Sequence, residues 1–362
     1  MRVRRVDVVT HAGAVSGSRI ASARITERRG LLLRVEDRDG RVAQGEASPL
    51  PGYSTDSFET AKDALERVDW TALPEPDPAG DASAMLAALP VDLAATSNAA
   101  RFAVETVLLD VLGQRAAAPL WALLGSSKTV PVVPLSSFAG GVDDTDVIAR
   151  ARDAAARGVR TIKVKILGPS LGAQCDVLGA VRAAIGGAAL RLDANGSLDP
   201  RSAHEELERL VALRPELVEE PVPAAGLGTA FVDPPLSMAL DESLQDPAHW
   251  KRLAEELERI RCVAVVLKLT ALGGFSRCLK LAREASKRGL DVTVSHTFDG
   301  PIALAASAHF ALAVASRTRA SGLDKHGGLA VWPPTSVALL GETELTADDR
   351  PGLGLAPLTR PR

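Results

Sequence analysis

The sequence has few cysteines, almost no net charge and no long apolar run. Its three cysteines in 362 residues, Cys175, Cys262 and Cys278, have neither CxxC nor zinc-type spacing. That excludes a disulfide framework and a thiolate metal centre, and leaves small buried hydrophobes in a reducing compartment. The formal net charge is −3 and the pI about 6.1, with lysines and arginines scattered along the chain. Such a balance excludes a polyanion surface, and with it a nucleic-acid partner. No uncharged run reaches the ~18 residues of a membrane span, so no membrane partner is expected. Met1-Arg2-Val3-Arg4-Arg5 leads into Val6-Asp7-Val8-Val9, not into the apolar core of a signal peptide. Together these absences point to the cytoplasm. The length exceeds one ordinary core, so two domains are expected.

What the sequence does contain is an alternating run, Thr161-Ile162-Lys163-Val164-Lys165-Ile166. Period two reads as a strand, with Ile162, Val164 and Ile166 on one face and Lys163 and Lys165 on the other. Alone, this is equally a half-exposed strand with two solvated lysines. The following runs decide. Leu190-Arg191-Leu192-Asp193, Leu217-Val218-Glu219-Glu220-Pro221 and Met238-Ala239-Leu240-Asp241 bring carboxylates to strand ends. Val263-Ala264-Val265-Val266-Leu267-Lys268 ends in another lysine. The charges recur about every 22–28 residues, the length of a strand, a crossover helix and two short loops. They therefore stand at the carboxyl ends of successive strands of a βα repeat, which converge on one mouth in a barrel. Three carboxylates gathered there repel one another, and a divalent cation relieves that repulsion. Oxygen-only ligands favour Mg²⁺.

Residues 1–45 read as an antiparallel meander, with a Gly/Ser-containing loop over 12–25 and a hairpin turn at Asp37-Arg38-Asp39-Gly40. Gly45-Glu46-Ala47-Ser48-Pro49-Leu50-Pro51-Gly52-Tyr53-Ser54 is an irregular loop. Asp56, with Glu59 three residues on, reads as the N-cap of the next helix. Residues 97–114 form a long helix whose core stripe is Ala100, Val104, Val107, Leu108, Val111 and Leu112. The first barrel strand is expected over 130–136. Barrel helices are expected over 143–157, 171–185, 200–213, 247–259, 275–288 and 302–314, with only a short one over 224–232. This gives seven βα units and a last strand near 320–323.

Lys-x-Lys, then Asp, Glu and Asp, then Lys on successive barrel strands resembles the enolase superfamily, in its muconate-lactonizing subgroup. Ala100-Arg101-Phe102-Ala103-Val104-Glu105 and Pro351-Gly352-Leu353-Gly354 carry the resemblance over nearly the whole chain. Within it, Gly-Glu-x-Ser-Pro-Leu-Pro-Gly is similar to the capping-domain loop of o-succinylbenzoate synthases. The resemblance implies an α/β fold, a modified (β/α)7β TIM-type barrel over 129–324 that holds the active site. It implies an α+β capping domain over 1–128 and a segment over 325–362 that packs back on it. Mg²⁺, with Mn²⁺ as substitute, is implied on Asp193, Glu219 and Asp241. Period two leaves Glu219 and Glu220 open at a strand end, and the family pattern Val/Ile-Glu-x-Pro selects Glu219. Lys165 is implied as the base that removes a proton α to a carboxylate, and Lys268 as the charged partner. Lys163 then has the task of depressing its neighbour's pKa. Implied substrate contacts are Arg191 and Asn195 beside Asp193, Ser295 and Thr297 after the seventh strand, and Pro51, Gly52 and Tyr53 in the loop. Glu220 and Glu242 read either as supports near lysine or as rim charges. His296 reads either as a site residue or as a packed histidine, and Asp299 stands where many relatives carry Glu. The implied partner is a small dicarboxylate, bound by a monomer or a homo-oligomer.

The reaction implied is the syn-dehydration of 2-succinyl-6-hydroxy-2,4-cyclohexadiene-1-carboxylate to 2-succinylbenzoate in menaquinone biosynthesis. The same two-lysine site serves N-acylamino-acid racemases, dipeptide epimerases and muconate cycloisomerases. The Asp-x-Asp that dipeptide epimerases use for the substrate's amino group is missing from the seventh and eighth strand ends. A non-catalytic metabolite-binding barrel predicts the loss of at least one ligand or lysine, and none is lost.

Overall fold

The structure, a computed structural model, describes residues 1–20, 23–90, 96–125, 132–168, 171–316 and 318–358. β1 (Val3–Ile20), β2 (Ala23–Asp37) and β3 (Val42–Ala47) form an antiparallel sheet in that order. Its second turn is the expected one. Gly40, at φ 81°, donates its N–H to the Asp37 carbonyl at 3.1 Å, a left-handed position that favours glycine. The stretch expected as a loop over 12–25 is instead largely strand, with residues 21–22 outside the described residues. Ala12 pairs with Arg29 and Ala14 with Glu27, because backbone pairing supplies what the small side chains do not.

The helix Phe58–Glu66 is capped by Ser57 and not by Asp56. Ser57 and Thr60 exchange side-chain-to-backbone bonds in a capping box. Asp56 accepts instead from the N–H of Ala99 at 2.9 Å and the hydroxyl of Ser97 at 2.5 Å. Those bonds tie the loop to the long helix Asn98–Ala116, whose own N-cap is Ser97. This helix is buried on nearly every face and lies directly on β3. A Cβ at Gly45 would meet the Ala103 carbonyl oxygen at 2.1 Å, so only glycine allows that approach.

β4 (Val132–Pro134) is not the first barrel strand. It pairs antiparallel with β12 (Glu344–Thr346), and the barrel begins at β5 (Ser136–Gly141). Residues 130 and 131 of the expected strand lie outside the described residues. Pro134 has no N–H for a central ladder, which confines this stretch to a two-stranded edge. β6 (Thr161–Lys165), β7 (Ala189–Asp193), β8 (Leu217–Glu219), β9 (Met238–Leu240), β10 (Cys262–Leu267) and β11 (Asp291–Val294) follow β5 as parallel neighbours in sequence order. The last strand is reduced to two bridges. Ser321 pairs with Leu135 and Gly322 with Ser295, which joins β11 to the start of β5 and closes a (β/α)7β ring.

The covering helices are Val147–Ala156, Cys175–Ala184, Ala203–Leu210, Leu227–Ala230, Pro247–Leu253, Phe275–Lys287 and Pro301–Val314. Several are shorter than expected, because apolar period marks which face is buried and not where helical hydrogen bonding stops. Two buried glutamates from outside the barrel dock on barrel helices. Glu105 accepts from the N–H and hydroxyl of Ser276 at 3.0 and 2.6 Å. Glu46 accepts from the N–H of Gly300 and Ala303 at 2.5 and 3.1 Å. Both place carboxyl oxygens at a helix N-terminus, where the orphan N–H groups need acceptors. Near the chain's end, Gly352 bridges to Pro119. Leu353 donates to Asp110 at 3.0 Å and Leu358 to Gln44 at 2.7 Å. No described helix is long and apolar enough to cross a membrane.

Candidate active site

Parallel register fixes the neighbours at the barrel mouth. Lys165 pairs with Asp193 across β6–β7, and Asp193 with Glu219 across β7–β8. Asp241 and Lys268 are the first residues beyond β9 and β10. All five are buried. One carboxylate oxygen each of Asp193, Glu219 and Asp241 lies within 4.8 Å of the others, a group that can hold a metal ion. Three hard oxygen donors in so small a space fit a hard divalent cation. A cation already sits among them: the Lys163 ammonium is 2.7 Å from Asp193 and 2.5 Å from Glu219. Two buried oxygens beside the triad, Asn195 Oδ1 and Glu242 Oε2, have no hydrogen-bond partner among the described residues.

The adjacent glutamates part in the structure. Glu219 joins the triad. Glu220, at φ 36°, turns away and accepts from the N–H of Asp241 at 2.9 Å and from the Ser243 hydroxyl. Burial pushes its carboxyl up to about 7. Burial and then the Asp241 charge raise Glu242 well above the ordinary range. Its Oε1 accepts from the Asn195 amide at 2.7 Å.

The three lysines differ. Burial opposes charge on Lys163, but the carboxylates of Asp193, Glu219 and Asp241 outweigh it and hold the pKa above the ordinary value. Lys268 lies 2.5 Å from Asp241 Oδ2 and 4.1 Å from the centre of the Tyr53 ring. Burial is again outweighed, chiefly by Asp241, and its pKa is raised. The Lys165 ammonium has no hydrogen bond or ion pair among the described residues. Burial lowers its pKa to about 8, and the charges of Lys163 and Lys268 add to that against the pull of Asp193.

The cleft above these groups encloses about 590 Å³ including its open mouth. Asn195, Ser295, Thr297 and Tyr53 line it, together with Lys163, Lys165, Asp193 and Lys268. Tyr53 donates its hydroxyl hydrogen to Asp241 Oδ1 at 2.6 Å. Three expected contacts lie elsewhere. Arg191 is one layer below the mouth, donating to Glu216 at 2.7 Å and the Ala320 carbonyl at 2.6 Å. Its register position is two residues short of the strand end, so its side chain meets the barrel interior. Pro51 and Gly52 are exposed on the outer face of their loop, where the turn directs Leu50 and Tyr53 inward. Asp299 is buried on Thr270 and Thr297 and does not line the cleft.

The sequence reading missed Leu50, Ser136, Phe138, Phe298, Gly322 and Asp324, all of which line the cleft. Asp324 directly follows the strand expected over 320–323, so the rule that found the other strand-end charges also points to it. Phe138 was hidden by the misplaced first strand. Asp324 accepts from the N–H of Phe138 at 3.1 Å and faces His296 Nε2 at 3.4 Å. His296 therefore belongs to the cleft wall.

The match to a family model decides the affiliation. Residues 146–360 match the Enolase C-terminal domain-like family, and residues 12–78 match the MenC N-terminal domain. The chain belongs to the enolase superfamily. It is 30% identical over 366 residues to the L-Lys-D/L-Arg epimerase of Methylococcus capsulatus, covering 98% of this chain and 99% of that one. It is also 30% identical over 272 residues to a hydrophobic dipeptide epimerase of Enterococcus faecalis, covering 73% and 74%. A Methylococcus capsulatus dipeptide epimerase, solved with Mg and L-Arg-D-Lys, superposes with a TM-score of 0.82 at 28% identity over 99% of this chain and 100% of that one. The muconate lactonizing enzyme of Pseudomonas fluorescens, at 22% identity over 98% and 96%, shares the fold with a TM-score of 0.84. The enolase-superfamily frame, a barrel with a capping domain, is thus the frame of this chain.

Proposed function

We propose that this chain is a Mg²⁺-dependent enzyme that removes the proton α to a substrate carboxylate, with Lys165 as the base. The observation that carries this reading is the contrast among the three lysines. Lys163 and Lys268 are held charged by carboxylates, whereas the Lys165 ammonium has no partner among the described residues and is buried, with its pKa lowered to about 8. A general base works best with a pKa close to the working pH. A Mg²⁺ ion on Asp193, Glu219 and Asp241 supplies positive charge where the substrate carboxylate gains negative charge as the proton leaves. The Mg-bound relative supports that metal. Lys268 keeps a fixed cation beside the site, with the Tyr53 ring excluding water from it. Asn195, Ser295 and Thr297 offer polar groups to the rest of the substrate. A reducing, cytoplasmic setting fits the three unpaired thiols.

Within this chemistry we place dipeptide epimerization first, because the chain is 30% identical to an epimerase over 99% of that protein's length. Dehydration to 2-succinylbenzoate is the second reading, supported by the MenC N-terminal match and the Ser48-Pro49-Leu50-Pro51-Gly52-Tyr53 loop. Incubation of an L,L-dipeptide with Mg²⁺ in heavy water is expected to give deuterium uptake at Cα, and excess EDTA to abolish it. No uptake, with the aromatic product formed from 2-succinyl-6-hydroxy-2,4-cyclohexadiene-1-carboxylate, would establish the second reading. Neither signal would overturn both.

A further inference from the structure

Arg28 lies on β2, outside the barrel, and is only 3% exposed. A buried guanidinium is costly unless its charge and its N–H donors are met. Here every hydrogen bond of the side chain ends on a backbone carbonyl, in two segments remote in sequence. Nη1 donates to Pro49 at 3.0 Å and Nη2 to Ser48 at 2.9 Å. Nε donates to Phe298 at 3.0 Å, and Nη2 also reaches Thr297 at 3.1 Å. The carboxylates of Asp299 and Glu46 supply the opposing charge.

Both segments build the cleft. Leu50 and Tyr53 follow the first pair of carbonyls, and Thr297 and Phe298 carry the second. Phe298 stands at φ 54°, a left-handed conformation unfavourable for any residue with a Cβ. Its N–H donates to His296 Nδ1 at 3.2 Å, and its ring meets Phe138 and His296 edge-on. Leu50 packs against Tyr53 and Phe298. Thus the apolar side of the cleft is made by two loops that meet, and one side chain bonds to both.

We propose that Arg28 is a positioning residue that clamps the 48–53 loop to the Thr297-Phe298 turn and thereby sets the aromatic wall that selects substrates. A flat guanidinium with five donors can span four carbonyls in two segments, whereas an ammonium with three cannot. Nothing in the position of Arg28 touches the triad or the lysines, so its effect falls on fit and not on proton transfer. The kinetic part of this proposal rests on the enzymatic reading above; the conformational part does not.

The test uses the Mg²⁺-loaded protein and Arg28→Lys. Amide exchange in residues 48–54 and 295–300 is expected to rise about tenfold or more in both segments together, with β6 to β9 unchanged. On the cyclohexadiene substrate, or on the dipeptide that the wild type epimerises, KM should rise about tenfold while kcat changes less than about twofold. Calorimetric Mg²⁺ affinity should stay unchanged. Adding Phe298→Ala should raise KM less than the sum of the single effects, because both act on one wall. Unchanged exchange in either segment, a uniform rise along the chain, or an unchanged KM despite loosened segments would each overturn the proposal. So would failure of both Arg28→Lys and Arg28→Met to fold, since a residue that only positions two loops is dispensable to the fold. A wild type inactive on every probe sinks the enzymatic reading and leaves the exchange experiment to decide on Arg28.

Discussion

Lys165 and Lys268 have the same side chain and opposite surroundings, and substitution by arginine separates them. A guanidinium does not release its proton near neutral pH, so Lys165→Arg is expected to lose about 10²–10⁴-fold in kcat/KM, the value of a general base. Lys268→Arg keeps a cation beside Asp241 and should retain measurable turnover. Equal loss in both variants would instead favour two lysines that both exchange protons. The pH profile tests the same residue. A neutral Lys165 becomes more abundant as pH rises, so kcat/KM should climb through about pH 8 and fall away on the acid side. At this scale the sequence is legible for the strand-end charges, because one spacing rule places Lys165, Asp193, one of the pair Glu219 and Glu220, Asp241 and Lys268 together. It is silent on Arg28, whose partners at 48–49 and 297–298 are joined to it only by the fold.

Among elements, two barrel helices, Phe275–Lys287 and Pro301–Val314, are held from outside by carboxyl groups at their N-termini. Glu105 is fully buried, on the N–H and hydroxyl of Ser276 and on Arg101 Nε at 2.8 Å. Glu105→Ala strips those donors of their acceptor. It is expected to lower unfolding free energy by about 1–3 kcal/mol, measured by urea denaturation, the usual cost of unmet buried polar groups. Glu105→Gln keeps an acceptor and should lose less. The helix Asn98–Ala116 and the strands β6 to β10 are legible because apolar period and strand-end charges agree on them. β4 and the capping residue of Phe58–Glu66 are not, because their outcome depends on tertiary partners. Val132 has Thr346 to pair with, and Asp56 is drawn to Ser97 and Ala99.

Across the whole molecule, two buried titratable groups hold the backbone of Leu353 and respond to acid in opposite senses. Burial pushes His309 down to about 4, and its Nε2 faces the Leu353 carbonyl at 3.3 Å. Burial pushes Asp110 up to about 6, and it accepts from the Leu353 N–H. As pH falls from 6.5 toward 4, the unfolded chain takes up a proton that folded His309 refuses, so that contribution is lost. As pH rises from 3.8 through 6, the unfolded chain releases a proton that folded Asp110 retains, so that contribution is lost in turn. Each is worth about 3 kcal/mol at full extent. Relative to wild type, His309→Asn should therefore make stability fall more steeply as pH rises between about 4 and 6. Asp110→Asn should make it rise more steeply over the same range, both read from urea midpoints. The closed ring itself is legible from the count of βα units, whereas its closure through two bridges, Leu135 to Ser321 and Ser295 to Gly322, is not. The attachment of Gly352, Leu353 and Leu358 to Ala118, Asp110 and Gln44 also bears on biosynthesis. The ribosome delivers the first sheet and its helix more than 200 residues before these partners. Until the barrel between them has been made, that layer waits with an open seam, which closes only once residues 352–358 have been synthesised.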